Sequence, residues 1–333
     1  EVKKNPDSFL AIDRAETSFG LETDTYAPEV YRKAAELLQK EIGEGKFVQD
    51  AAPFYYLYEQ TWQGRSQTGI VACAAVRDGK TILEDLSFTA PYKIMVPFEK
   101  ENDGIQIMPL CASAGIMAGD SQEFSYHVKE GANLEVLSQS FEKIHKMDEG
   151  SAFRTIEIQV EQNAILYYYP QPVIPFSGSA FDSTMTICLE DKTSRLFLLE
   201  VISCGRNAHE ERFQYRRFSS RVRIYRGEKL IYQDNTCYEP EKMPMEGIGM
   251  YEGYTHMANL FLSEIYTGQD STDKEINLEL QEKIWKLLDE EPDTDGGVTR
   301  LTTGDLVLRI FAHRAQTLQQ LADKIKKLYE AIH

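Results

Sequence analysis

The chain has 333 residues, of which 42% are hydrophobic and 11% aromatic, so it can bury a sizeable core and is globular rather than disordered. Its 53 acidic and 36 basic residues give a formal net charge of −17, which repels phosphate backbones and argues against nucleic-acid binding. No apolar run approaches the ~20 residues that a membrane span needs, and no basic-then-apolar signal peptide opens the chain. Five cysteines without a CxxC pair fit a reducing compartment. We therefore expect a cytoplasmic protein with no membrane partner.

The first part of the chain, residues 1–76, predicts a short α/β segment. Apolar residues recur at helical spacing over 26–45, and Pro28 suits the first turn of that helix. Two apolar stretches that are rich in β-forming residues, 53–60 and 69–76, follow as predicted strands.

From Arg77 onward the patterning is that of β-strands. "RTIEIQV" (154–160) alternates apolar and polar residues, and "TMTICLE" (184–190) repeats the alternation. "RVRIYRGEKLIY" (221–232) predicts a hairpin that turns at Gly227 and Glu228. Such closely spaced strands predict a mainly β, layered body.

Prolines and helical periodicity mark the remaining segments. The stretch 167–179 carries three prolines, which predicts an edge strand or a crossover. Apolar residues at helical spacing predict two C-terminal helices, at 276–291 and 315–332. The stretches 296–301 and 305–313, between these helices, are predicted strands.

No catalytic or nucleotide-binding motif stands out. The glycine-rich stretches 113–122 and 247–255 lack the GK[ST] ending of a phosphate-binding loop, so we expect tight turns there. Neither HExxH nor GxSxG occurs. A carboxylate pair of the glycosidase kind, drawn from Glu142, Asp182 and Glu200, stays open as an alternative.

The densest polar run is "SQSFEKIHKMDEG" (138–150). Glu142 and His145 could serve a transient divalent cation, because such ions accept both carboxylate and imidazole ligands. If the run is a strand, Glu142 shares one face with Lys146, and Lys143 shares the other with His145. A solvated strand end followed by a turn is the alternative.

Seven blocks in a fixed order carry a resemblance to a known family: 91–99, 112–120, 138–150, 168–181, 194–206, 221–235 and 249–260. Together with 296–315 they resemble the urease accessory protein family UreD, called UreH in some bacteria, over about residues 77–333. Residues 1–76 resemble instead an internal fragment of the uncharacterised DUF1015 family. The apolar stretch at 69–76 is expected to take the place of the first UreD strand.

The resemblance implies a mainly β, two-layered fold with a helix-like winding and two C-terminal helices. It implies a non-enzymatic scaffold that binds apo-urease, recruits the helical accessory protein UreF, and through it the nickel-carrying GTPase UreG. Nickel(II) would pass through transiently, and no cofactor would be bound permanently. An enzyme of unknown activity, using a carboxylate pair or the DUF1015-like segment, is the alternative.

The resemblance also implies site residues. Asp120, Glu142 and Lys143 fall on positions that line the family's polar interior channel. An acidic channel position falls near Gln233, where this chain has an amide. Arg206 and Glu211 match a further family block and are expected to serve structure or partner binding, as is His145. A turn role for Asp120, and an ion pair for Arg206, are the structural alternatives.

Overall fold

Two large β-sheets form the body of residues 67–332, the part of the chain that this computed structural model describes. The predicted helix at 26–45 and strand at 53–60 lie outside the described residues. The chain divides into two units, Glu1–Ser66 and Gln67–His333.

Nineteen strands and two long helices make up the described part. In chain order the strands are β1 (Gln67–Arg77), β2 (Lys80–Phe88), β3 (Tyr92–Ile94), β4 (Phe98–Glu99), β5 (Ile105–Ile107), β6 (Pro109–Cys111), β7 (Ser121–Val128), β8 (Asn133–Leu137), β9 (Glu142–Ile144), β10 (Ala152–Val160), β11 (Ile165–Tyr169), β12 (Val173–Pro175), β13 (Ala180–Leu189), β14 (Arg195–Ser203), β15 (Arg217–Arg226), β16 (Lys229–Tyr238), β17 (His256–Leu262), β18 (Thr294–Arg300) and β19 (Leu306–Ala312). The helices are α1 (Asp270–Glu290) and α2 (Ala315–Glu330), and a short 3₁₀ helix spans Asn207–His209.

The chain winds back and forth between two large sheets. The first sheet has the order β16-β15-β13-β10-β7-β1-β2, and the second has the order β18-β19-β17-β14-β11-β8-β5-β4. From β7 to β15 the longer strands alternate between the sheets: β7, β10, β13 and β15 belong to the first, and β8, β11 and β14 to the second. Neighbours within each sheet in this region run parallel, and the short β9 and β12 attach to the second sheet beside β14. This confirms the mainly β, two-layered fold with helix-like winding. β1 takes the first-strand position, parallel to β7, as expected.

Side-chain alternation builds the core between the sheets. On β10, Ile156, Ile158 and Val160 are buried while Thr155 and Glu157 are exposed, as the sequence predicts. Ile156 lies in register between Phe124 of β7 and Met185 of β13. Such rows of apolar side chains, repeated on successive strands, fill the space between the layers.

A second core lies on the outer face of the second sheet, where the two helices cover it. Leu280 and Ile284 of α1 and Leu318, Leu321 and Ile325 of α2 are fully buried against that sheet. These are the apolar faces that helical spacing predicts. Neither helix within residues 67–332 is long and apolar enough to cross a membrane.

The structure corrects two sequence-based expectations. Residues 167–169 end β11, a central strand of the second sheet, because the first proline follows the last paired residue. α1 begins at Asp270 rather than 276, since Asn277 holds its polar first turns to the preceding loop through two hydrogen bonds with Ile265.

The polar run 138–150 contains a short strand, β9, which extends over three residues and is followed by a turn region. This agrees with a strand end followed by a turn.

Candidate functional site

A polar row crosses the interior of the first sheet. Five residues on neighbouring strands lie in one register row and face the second sheet: Gln122, Arg154, Ser183, Ser220 and Thr236. An apolar row lies on each side of it. One runs through Ile156, Met185 and Val222 and ends at the polar Asp234 of β16, and the other runs through Phe181 and Phe218. Along the strand direction, the interior between the sheets therefore contains an apolar row, then the polar row, then a second apolar row.

The second sheet places matching polar groups opposite this row. Glu200, Asn259 and Arg309 are neighbours in register on β14, β17 and β19. The Ser220 hydroxyl donates to Glu200 Oε1 over 3.0 Å and so joins the two sheets. Arg309 donates from Nε to Asn259 Oδ1 and from Nη2 to Asp234 Oδ1 of β16, both over 2.9 Å. We use the name polar band for ten residues: Gln122, Arg154, Ser183, Ser220 and Thr236 of the row in the first sheet, Glu200, Asn259 and Arg309 of the second sheet, Asp234 of β16, and Glu142 of β9.

Arg154 and Glu142 form one end of the polar band. The Arg154 guanidinium donates from Nη1 to Glu142 Oε2 over 2.5 Å, from Nη2 to Glu142 Oε1, and from Nε to Gln122 Oε1 over 2.9 Å. It also lies over the rings of Phe124 and Phe181, 5.1 and 5.3 Å from their centroids. Burial disfavours the charged form, but the Glu142 carboxylate outweighs that effect and raises the pKa of Arg154. The two hydrogen bonds between Arg154 and Glu142 hold both side chains in place.

Glu200 differs from Glu142, because no Lys, Arg or His side chain among residues 67–332 forms an ion pair with it. Burial raises the pKa of Glu200 to about 7, against the opposing effect of the hydrogen bond from Ser220. This carboxyl group therefore gains and loses a proton near neutral pH.

The Tyr92 hydroxyl is a buried polar group beside the Arg154 end of the polar band. Within residues 67–332 it makes no hydrogen bond. Burial raises its pKa, and the Glu142 carboxylate adds to that rise. Buried hydroxyls in proteins are normally satisfied by protein or water, so a bound water is the expected partner of the Tyr92 hydroxyl.

Two of the sequence-predicted acids lie at this end. Glu142 belongs to the polar band, as described. Asp120 precedes β7, and its Oδ2 accepts a hydrogen bond of 2.8 Å from the Met117 N–H, which is a turn-forming contact. Its charge, like that of Glu142, acts on Tyr92. A part in cation passage stays a prediction for both carboxylates.

Lys143 and His145 lie on the other side of β9. Both line an outer groove, whereas Glu142 faces Arg154 in the interior, as strand alternation predicts. His145 Nε2 lies 2.9 Å from the carbonyl oxygen of Ala114, a contact that holds the loop before β7. The structure thus separates Lys143 from Glu142, and its assignment to the channel stays a prediction.

The other predicted positions lie away from the polar band. Gln233 is exposed on β16, and the neighbouring Asp234 is the residue that faces inward to Arg309. Arg206 Nε donates to Glu211 Oε2 over 2.7 Å, so these two matched residues pair with each other. Asp182 faces outward and pairs with Arg217 rather than meeting Glu200.

Eight members of the polar band escaped sequence-based selection: Gln122, Arg154, Ser183, Ser220, Thr236, Asp234, Asn259 and Arg309. The pattern that could have identified Arg154 is a charged residue at an inward position of an alternating strand, two residues before Ile156. Glu200 interrupts the apolar run at 195–204 in the same way. Within residues 67–332, no group of three or more His, Cys, Asp or Glu side chains is arranged to hold a metal ion.

Comparison with known families agrees with this architecture. The family model of the UreD urease accessory protein matches residues 67–333, the part that contains both sheets and both helices. The chain belongs to the UreD urease accessory protein family. A second model, of a protein of unknown function (DUF1015), matches residues 1–83. The two matches overlap on β1 and the beginning of β2.

The regions of three UreD-family relatives that match this chain span most of each relative's length. The urease accessory protein UreH of Helicobacter acinonychis is 37% identical over 251 residues, which are 75% of this chain and 90% of the relative. UreD of Acetivibrio thermocellus is 34% identical over 257 residues, with 77% and 94% covered. UreD of Haemophilus influenzae is 28% identical over 264 residues, with 77% and 95% covered. Membership in this family gives the chain a role in urease maturation.

Proposed function

We propose that this UreD-family chain is a non-enzymatic scaffold that hands nickel(II) to apo-urease in the cytoplasm. Its partners would be apo-urease, the helical accessory protein UreF and the GTPase UreG, as family membership suggests. Nickel is here a cargo and not a resident cofactor.

The observation that carries the proposal is the polar band between two apolar rows. Glu142, Glu200 and Asp234 each place one carboxylate in this band, and each contacts a different partner: Arg154, Ser220 and Arg309. Single, separated carboxylates that are mostly buried attract a divalent cation without enclosing it as a cage of several ligands would. Conduction needs such binding, strong enough to admit the ion and weak enough to release it. The Asp234 end of the polar band is open to solvent, because the Arg309 side chain is 48% exposed.

Charge exchange within the polar band would allow the ion to advance. A cation that approaches Glu142 or Asp234 competes with the guanidinium already there, which moderates its affinity. At Glu200 the competitor is a proton, because the pKa of this group is about 7. A cation that reaches Glu200 therefore displaces a proton at small cost near neutral pH. Asp120, beside the Arg154 end, would draw the ion toward Glu142.

A reconstituted activation assay tests the proposal. Apo-urease, UreF, UreG, GTP, bicarbonate and nickel are mixed with and without this chain, and urea hydrolysis is measured. Activation that is unchanged when the chain is left out contradicts the scaffold function.

Variants then test the path. Asp120→Ala and Glu142→Ala should each lower activation while leaving co-purification with UreF intact. Glu157→Ala, which removes an exposed carboxylate from the outer face of β10, is the matched control and should activate normally. Normal activation by both test variants would exclude these residues from the path.

A further inference from the structure

An outer groove lies on the face of β9 opposite to the polar band, and several basic side chains line it. It has a volume of about 770 Å³ and lies between β9, β12, the 3₁₀ helix at Asn207–His209 and the beginning of α2. Lys143, Arg206 and Arg314 line it together with four histidines, and no Asp or Glu of the described residues does. This is unusual for a chain whose net charge is −17.

Two of these cations are available to a ligand. Lys143 and Arg314 are exposed, and no carboxylate within residues 67–332 forms an ion pair with either of them. Arg206 differs, because Glu211 already neutralises it. Burial lowers the pKa of His256 to about 4, so this histidine is neutral near neutral pH. The groove therefore presents two uncompensated positive charges.

Part of the groove lining is apolar. Phe141, Ile174 and Phe176 contribute to its lining. The Phe176 ring is held from two sides, by the edge of the His145 ring at 5.0 Å between centroids and by the Arg206 guanidinium at 4.2 Å from its centroid. An aromatic surface fixed in this way suits an apolar or aromatic side chain of a ligand.

Two glycines beside the groove allow backbone segments to approach each other closely. Gly115 has φ +147 and Gly205 has φ +128, which L side chains rarely adopt. A Cβ at Gly115 would strike the Lys143 carbonyl oxygen, and one at Gly205 would strike the carbonyl oxygen of Glu211. The shape of the groove is therefore set partly by close backbone packing and does not depend on side-chain rotamers alone.

We propose that this outer groove binds an acidic peptide segment of a partner protein. Carboxylates of the segment would meet Lys143 and Arg314, and an apolar or aromatic side chain between them would pack on Phe176. A free divalent cation is repelled by the same charges, and a long nucleic acid is repelled by the net charge of the chain. The inference goes beyond the proposed nickel path and holds whether or not a cation crosses the polar band.

Fluorescence anisotropy of a labelled peptide tests the groove in the full chain. The probe is fluorescein-Glu-Asp-Phe-Glu-Asp-Leu-Glu, and its counterpart carries Gln and Asn in place of the acids. The acidic probe should bind, with an affinity that falls as salt is added, and the neutral probe should bind at least about tenfold more weakly.

Charge reversal locates the site. The double variant Lys143→Glu and Arg314→Glu should weaken binding of the acidic probe at least about tenfold, because two attractive charges become repulsive. The matched control, Lys229→Glu with Lys274→Glu, makes the same change in net charge at exposed positions outside the groove and should change the affinity less than about twofold. Phe176→Ala should weaken binding while the salt dependence is retained.

Several results would overturn the proposal. These are no binding of the acidic probe, equal binding of the neutral probe, an equal loss in the control double variant, or equally tight binding of a single-stranded oligonucleotide of the same charge. Each of them leaves the activation assay unaffected, so failure of the groove and failure of the nickel path are distinguishable.

Discussion

Arg154 shows how much the interior depends on one charged side chain. It is only 9% exposed, yet it satisfies both oxygens of Glu142 and the amide oxygen of Gln122. A buried ion pair contributes modest net stability, but removing one partner leaves an uncompensated charge, which costs about 3–5 kcal/mol.

We therefore expect Arg154→Ala to lower the free energy of unfolding by about 3–5 kcal/mol, measured by urea denaturation. Arg154→Lys should fall between this variant and the native chain, because lysine keeps the charge but loses the bidentate geometry. The control, Arg221→Ala, removes an exposed guanidinium from the outer face of β15 and should change stability by less than about 0.5 kcal/mol. Equal losses for Arg154→Ala and the control would contradict the assignment.

We expect Glu200 to make both the stability and the proposed nickel transfer depend on pH. Its folded-state pKa, about 7, lies above the value of 4.5 for a free glutamate, so the folded state holds the proton more tightly. The stabilisation is fully present below pH 4.5 and is lost as the pH rises to 7, by about 1.4 kcal/mol for each pH unit.

Glu200→Gln should remove this dependence. We expect the variant to gain stability over the native chain as the pH rises from 5 to 8, which thermal unfolding at several pH values measures. In the activation assay the native chain should transfer nickel faster above pH 7 than below it, and the variant should lose that pH dependence together with most of the activity. A variant whose stability follows the native pH profile would show that Glu200 is not the titrating group.

At the scale of elements, α2 is attached to the sheet by charge as well as by its apolar face. Glu135 of β8 is 5% exposed and accepts hydrogen bonds of 2.5 Å from Lys100 and 2.6 Å from Lys326 of α2. Both ammonium groups lie over the Tyr167 ring. Burial alone would raise the pKa of Glu135, but the two lysines outweigh burial and lower it.

Glu135→Gln should therefore loosen α2. Because the pKa of Glu135 is lowered, its stabilisation is present above the unfolded-state pKa and is lost as the pH falls through the folded-state pKa. We expect faster hydrogen exchange in α2 at pH 7 and a difference from the native chain that shrinks in acid. Glu279→Gln, on the exposed face of α1, is the control, and equal exchange rates in all three proteins would contradict the attachment.

Elements were predictable where the pattern is local. Alternation on β10, the hairpin of β15 and β16, and the apolar faces of α1 and α2 all follow from residues that are neighbours in sequence. The prediction failed at 167–169 because a central strand can end immediately before a proline, and alternation alone does not show this. It failed at the start of α1 because contacts with a loop, rather than apolar spacing, hold the first turns.

At the scale of the whole molecule, the proposed cation path runs along the polar band. A bulky side chain added there should close the path without any change in charge. Ser220→Leu places an apolar side chain in the band beside Glu200 without changing any charge, at a stability cost of about 1–3 kcal/mol for overpacking. We expect this variant to fold, by circular dichroism, and to lose most of its activity in urease activation.

Two controls separate closure from other effects. Ser220→Ala removes the hydrogen bond to Glu200 but leaves the space open, and it should retain much of the activity. Thr184→Leu adds the same bulk on the outer face of the first sheet and should activate normally. Full activity of Ser220→Leu would mean that no cation crosses at this point.

The sequence by itself determined the mainly β class, the two C-terminal helices and the inward positions of most strands, because these depend on the period of nearby residues. The sequence contains no internal repeat that would predict the winding of the chain between the sheets. Successive turns of this winding repeat the backbone pairing of strands but not their side chains. Only the tertiary structure decided which inward positions meet: Glu142 with Arg154, 12 residues apart, Glu200 with Ser220, 20 apart, and Asp234 with Arg309, 75 apart. Alternation tells which face a residue occupies, but register between strands and contact between sheets are long-range properties of the packed chain.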